Sequence, residues 1–141
     1  MRRVANGVRY ELALDDLRPW RVSLLTDPIR LAVDVGGDPR AIARTTALYL
    51  PSAGGAVSHA FTLSGSAKTV DGNVPWRMKD AGGTVLVSGT LRATTSASAL
   101  WGMFELPIAI PASIAGNVTL EIYASNTPSP NDIVRIPLSV R

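Results

Sequence analysis

Apolar and polar positions alternate with a period of two along much of this chain. The clearest run is residues 61–90, FTLSGSAKTVDGNVPWRMKDAGGTVLVSGT. Phe61, Leu63, Gly65 and Ala67 alternate with Thr62, Ser64, Ser66 and Lys68, the pattern of a half-buried β-strand. Val74, Trp76 and Met78 alternate with Pro75, Arg77 and Lys79 and predict a second strand; residues 84–90 predict a third. Asp71-Gly72-Asn73 and Asp80-Ala81-Gly82-Gly83 separate them. Glycine tolerates positive φ there, and Asp and Asn side chains bond the nearby backbone. Trp76 is in phase with Val74 and Met78, which predicts an apolar anchor between two sheets.

The same pattern organises the flanks. Val8, Tyr10, Leu12 and Leu14 alternate with Arg9, Glu11, Ala13 and Asp15 after an Asn6-Gly7 turn, predicting a strand. Val22-Ser23-Leu24 predicts a short strand, and Asp27-Pro28 a turn. Residues 29–35 (IRLAVDV) predict a strand with Leu31, Val33 and Val35 on one face. Residues 38–45 read as a polar linker. Thr46 opens the next strand and residues 51–56 (PSAGGA) form a loop. After the central strands, residues 91–98 are a strand end or an exposed connection. Residues 101–110 predict a strand whose Pro107, with Pro111 just beyond, cannot donate ladder bonds, which places it at an edge or a bulge. Residues 118–124 and 133–140 predict two more strands, with a Pro-rich loop at 126–131. The expected fold class is therefore all-β. An antiparallel β-sandwich of about seven strands occupies 46–141, with turns every 8–12 residues. A small additional β-unit at 1–37 precedes the linker at 38–45.

At 141 residues the chain is long enough to bury a core without staples, in keeping with its lack of Cys. That lack excludes disulfides, thiolate zinc sites and Cys nucleophiles. The net charge is +3, but acidic and basic residues interleave instead of forming the basic face of a nucleic-acid binder, so no nucleic-acid partner is expected. The longest nearly uncharged apolar stretch, 106–116, is short and broken by Pro107 and Pro111, so no direct membrane span is expected. Met1-Arg2-Arg3 is like the basic start of a signal peptide, but no apolar run follows.

The sequence offers little chemistry. Ser58-His59 holds the one histidine. A hydrolase using that pair would need a nucleophile elbow and an oxyanion motif, and neither is present; the reading of His59 as a solvated loop residue is preferred. No catalytic residue, metal ligand or cofactor is expected. Asp71 and Asn73 read as a turn pair rather than a cation site. Trp76, Trp101, Trp20, Tyr10, Tyr49 and Tyr123 are the aromatic candidates for a carbohydrate or peptide platform. Of these, Trp101 stands at a strand start, and Tyr123 falls out of phase with its apolar neighbours. With Arg135 on the outward side of the last strand, Trp101 and Tyr123 are the expected binding residues.

Several motifs occur in order: Ser64-Gly65-Ser66-Ala67, Asn73-Val74-Pro75-Trp76, Ser88-Gly89-Thr90 and Trp101-Gly102-Met103-Phe104. Over about 46–141 the chain resembles the immunoglobulin-like domain associated with bacterial spore germination proteins. Residues 27–35 (DPIRLAVDV) are similar to a strand of AMIN-like domains, making about 8–36 a partial AMIN-like segment. The resemblance implies an immunoglobulin-like sandwich in an exported bacterial protein of the cell envelope, its export signal upstream of this chain. It implies a non-catalytic binding or scaffolding module linked to germination or cell-wall processes, with a cell-wall polymer or an envelope protein as partner. The alternatives are a hydrolase or hydrolase subunit using Ser58 and His59, and a purely structural spacer. The apolar face of the N-terminal strands is expected to pack on the sandwich or to pair with a second copy as a homodimer.

Overall fold

The computed structural model describes residues 2–4, 7–9, 11, 13, 20–37, 39–94, 101–124 and 128–141. Thirteen strands run through them: β1 (Arg2–Val4), β2 (Gly7–Arg9), β3 (Trp20–Thr26), β4 (Ile29–Val35), β5 (Ala41–Ile42), β6 (Thr46–Leu50), β7 (Ala56–Val57), β8 (Ala60–Ala67), β9 (Asn73–Lys79), β10 (Val85–Arg92), β11 (Gly102–Ala109), β12 (Gly116–Ile122) and β13 (Val134–Val140). A single 3₁₀ turn, Pro130–Asp132, leads into β13.

Two sheets make the sandwich. One has the order β10-β9-β12-β13-β7 and the other β11-β8-β6-β5. Alternation supplies the core between them. Val74, Trp76 and Met78 of β9, Val118, Leu120 and Ile122 of β12, and Val134, Ile136, Leu138 and Val140 of β13 are all buried. Leu48, Leu63, Phe104 and Ile108 meet them from the other sheet. The fold is the expected all-β immunoglobulin-like sandwich, and Trp76 is 5% exposed at its centre.

Two of the sequence motifs have a packing cause. Gly89 stands directly across from Trp76 in the β9–β10 pair. A Cβ at Gly89 would come within 2.8 Å of the Trp76 indole Nε1. Gly65 stands across from Phe104 in the β8–β11 pair; a Cβ there would collide with the Phe104 ring and the Ala47 carbonyl oxygen. Each sheet thus lays a large ring over a cross-strand glycine.

The two expected turns of the central stretch form as read. Gly72 and Gly83 have φ of 78° and 86°. Asp71 accepts hydrogen bonds from the Asn73 backbone N–H and side-chain amide, which hold its carboxyl below the usual range. Asp80 accepts from the Thr84 N–H at 2.8 Å. The strand carrying Pro107 lies at a sheet edge, as its missing donor requires.

Two expectations are revised in detail, and a third lies largely outside the described residues. The residues read as a linker, 38–45, include β5, which pairs with β6 and joins the four-stranded sheet. The 46–141 region holds all seven expected strands plus β7, which pairs parallel to β13. Two-residue strands are too short for any periodicity to register. The strand expected from Val8 is described only as far as Arg9; Tyr10, Leu12 and Leu14 lie outside the described residues, as do residues 95–98 and 126–127.

Residues 20–37 form a separate two-stranded hairpin. Its base meets the sandwich through Lys68, whose Nζ lies 5.9 Å from the Trp20 ring centroid and 5.2 Å from that of Trp101.

Candidate functional site: an aromatic cleft and a charged sheet face

Where the hairpin base meets the four-stranded sheet there is a cleft of about 430 Å³. Trp20, Asp34, Val35, Gly36 and Gly37 line it from the hairpin side. Tyr49, Ser66, Trp101 and Met103 line it from β6, β8 and the start of β11. Tyr49 is half-buried and sits where the β6–β8 register shifts between Leu48 and Leu50. Trp20 is 36% exposed and Trp101 only 4%, so Trp101 forms a buried wall and Trp20 a partly open flank. The Ser66 hydroxyl is turned to the Met103 sulfur at 2.9 Å. Lys68 lies within cation–π range of both indoles. Three of the six aromatic candidates therefore converge, from three separate segments of chain. Trp76 is core, Tyr123 lies elsewhere, and Tyr10 is outside the described residues.

The outward face of the five-stranded sheet carries a charge network centred on Glu121, a residue that the sequence reading did not single out; Arg135 bonds to Glu121 directly, and Tyr123 borders the network through Arg77. Glu121 lies opposite Arg77 of β9 and Arg135 of β13. Arg77 Nε donates to Glu121 Oε2 at 2.6 Å and Arg135 Nε to Oε1 at 2.9 Å. Lys79 Nζ lies 3.1 Å from Oε2. The Glu121 side chain is 6% exposed beneath these three cations. Burial pushes its pKa up, but the hydrogen bonds from Arg77, Lys79 and Arg135 outweigh it and hold the carboxyl at about 2. The Arg77 guanidinium stands 5.5 Å from the Tyr123 ring centroid, and an Arg135 terminal nitrogen also donates to the Pro130 carbonyl at 3.1 Å. The aromatic partner of a cation here is thus Arg77, with Arg135 joined to it through Glu121. All of these residues are out of phase with the buried positions of their own strands. Their convergence needs the strand order β9-β12-β13, which alternation does not encode.

Ser58 and His59 each bond a backbone carbonyl. The Ser58 hydroxyl donates to the Ala60 carbonyl. His59 Nε2 bonds the Ile114 carbonyl at 3.0 Å, tying the β7–β8 connection to the loop before β12. The ring is a loop staple whose bonding nitrogen is committed to a backbone acceptor. His59→Ala is expected to leave any background turnover of ester, amide or peptidoglycan substrates unchanged, and to cost about 1 kcal/mol of stability for the lost hydrogen bond. Turnover by the parent chain that disappears in the variant would reverse this assignment. Among the described residues, no three His, Asp or Glu side chains gather as a metal site, and no helix is long and apolar enough to cross a membrane.

Residues 48–140 match the sequence family described as the immunoglobulin-like domain of bacterial spore germination. The chain belongs to this family. The match covers the sandwich from within β6 onward, with its motif glycines, and does not reach the hairpin, so the AMIN-like comparison for that segment stands on the sequence resemblance alone. No curated protein matches the chain. The family domain begins within β6 and takes in the Glu121 face and the Tyr49, Ser66, Trp101 and Met103 side of the cleft.

Proposed function

We propose that the protein is a non-catalytic binding module of an exported bacterial cell-envelope protein, and that it takes a cell-wall polymer in the aromatic cleft. The observation that carries this is the convergence of Trp20, Tyr49 and Trp101, with the polar Asp34, on one concave surface. Flat rings beside a few fixed polar groups suit the apolar faces and hydroxyl edges of a sugar ring. The carbohydrate reading is favoured over an extended peptide because the β11 edge next to the cleft carries Pro107, which interrupts strand addition. Membership of a germination-associated family supports a setting at the cell wall.

Calorimetric titration with soluble glycan-strand fragments of peptidoglycan tests this. Binding is expected with the parent chain. Trp20→Ala and Tyr49→Ala are each expected to weaken it at least tenfold, which is about 1.4 kcal/mol or more, without lowering the unfolding midpoint of the sandwich. The fragments should be recovered unchanged. Binding retained in both variants would remove the cleft from the account, and no binding by the parent chain would leave the spacer reading in its place.

A further inference from the structure

The hairpin of β3 and β4 has an unusual surface for a two-stranded element. Its register pairs Trp20 with Val35, Val22 with Val33, Leu24 with Leu31 and Thr26 with Ile29, so all eight share one face and seven are apolar. They are exposed, increasingly so toward the turn: Leu31 61%, Leu24 67% and Ile29 81%. Among the described residues no other strand pairs with β3 or β4. The structure therefore presents an open β edge bordering an apolar face, the combination that recruits another strand.

The sequence of β4 says which strand. Ile29-Arg30-Leu31-Ala32-Val33-Asp34-Val35 is self-complementary about Ala32. In an antiparallel pairing of two copies across a two-fold axis at Ala32, Ile29 meets Val35, Arg30 meets Asp34 and Leu31 meets Val33, each twice. Both charged pairs are opposite in sign and sit on the polar face. Both apolar pairs extend the apolar face. A shift of two residues in either direction destroys the charge match, and a shift of one puts apolar side chains on the polar face. We infer that β4 is a homodimerisation edge, pairing antiparallel with β4 of a second copy to give a four-stranded sheet in the order β3-β4-β4-β3. The isologous two-fold interface requires a surface that complements itself, which the spacing of Arg30 and Asp34 around Ala32 provides. The pairing adds to the contact that Asp34 already makes within its own chain. It also sets two copies of the cleft at opposite ends of the joined sheet, because Trp20 and Val35 lie at the hairpin base.

Sedimentation of the intact chain and of charge variants tests the register. The parent chain is expected to sediment as a dimer of the 14.9 kDa unit. Arg30→Asp places Asp opposite Asp, and Asp34→Arg places Arg opposite Arg, so each variant alone is expected to be monomeric. Their equimolar mixture restores both opposite-sign pairs and is expected to give a heterodimer. A monomeric parent overturns the proposal. So does a dimer that persists in both single variants, and one lost only on Leu31→Glu would assign the contact to the apolar face instead. Failure of glycan binding would leave the dimer result unaffected, since the two are read in separate experiments.

Discussion

Trp76→Ala is expected to lower the unfolding free energy by about 3–5 kcal/mol, the range for removing a buried large aromatic side chain. Trp76 is the largest side chain on the inner face of β9, and it packs between its in-phase neighbours and the cross-strand Gly89. A loss of this size is a large fraction of the stability of an ordinary domain. The urea midpoint of the variant should fall clearly, and a midpoint equal to the parent's would contradict the core position. Gly89 gives a second readout. Gly89→Ala brings a methyl within 2.8 Å of the indole and is expected to cost about 1–3 kcal/mol by overpacking. In the Trp76→Ala background the same methyl enters the space left by the ring. The two substitutions should therefore be strongly non-additive, the double variant being no less stable than Trp76→Ala alone.

Glu121→Gln is expected to be the most damaging single change on the outward face. It keeps the shape of the side chain and removes the charge that Arg77, Lys79 and Arg135 surround. A carboxyl whose folded pKa lies below its unfolded value stabilises the fold in its ionised form. That contribution is complete above the ordinary value of 4.5 and disappears as pH falls toward about 2. Its size is about 3 kcal/mol at low salt, and less as salt screens the partly exposed cations. Urea unfolding across this window should show the parent losing stability with acid faster than the variant. The gap between them should be widest near neutrality and close at the acid end. A gap that stays constant with pH would mean that the ionised carboxylate is not what holds the three strands together.

Much of the sandwich was legible because alternation is a local property. Val74, Trp76 and Met78 announce an inner face without any knowledge of what lies opposite, and Asp71-Gly72 announces a turn from its own backbone needs. Pro107 narrowed β11 to an edge or a bulge, and the sheet order makes it the edge. What could not be read was the neighbour of each strand. Arg135 could be read as an outward binding residue, but its link through Glu121 to Arg77 could not; only the order β9-β12-β13 turns the three into one charge network. Tyr49 and Trp101 were visible as aromatic residues, but their meeting with Trp20 depends on where the hairpin base reaches the four-stranded sheet. Ala41-Ile42 and Ala56-Val57 failed for a different reason: a strand of two residues contains no period.

The short parallel contact of β7 with β13 makes closure of the five-stranded sheet depend on the last strand of the chain. Gly54 N–H donates to the Pro137 carbonyl, Ser139 N–H to the Gly55 carbonyl and Arg141 N–H to the Val57 carbonyl. These bonds stitch the middle of the chain to residues far along it, so the five-stranded sheet cannot close until 134–141 are available. Closing such distant pairings is intrinsically slow.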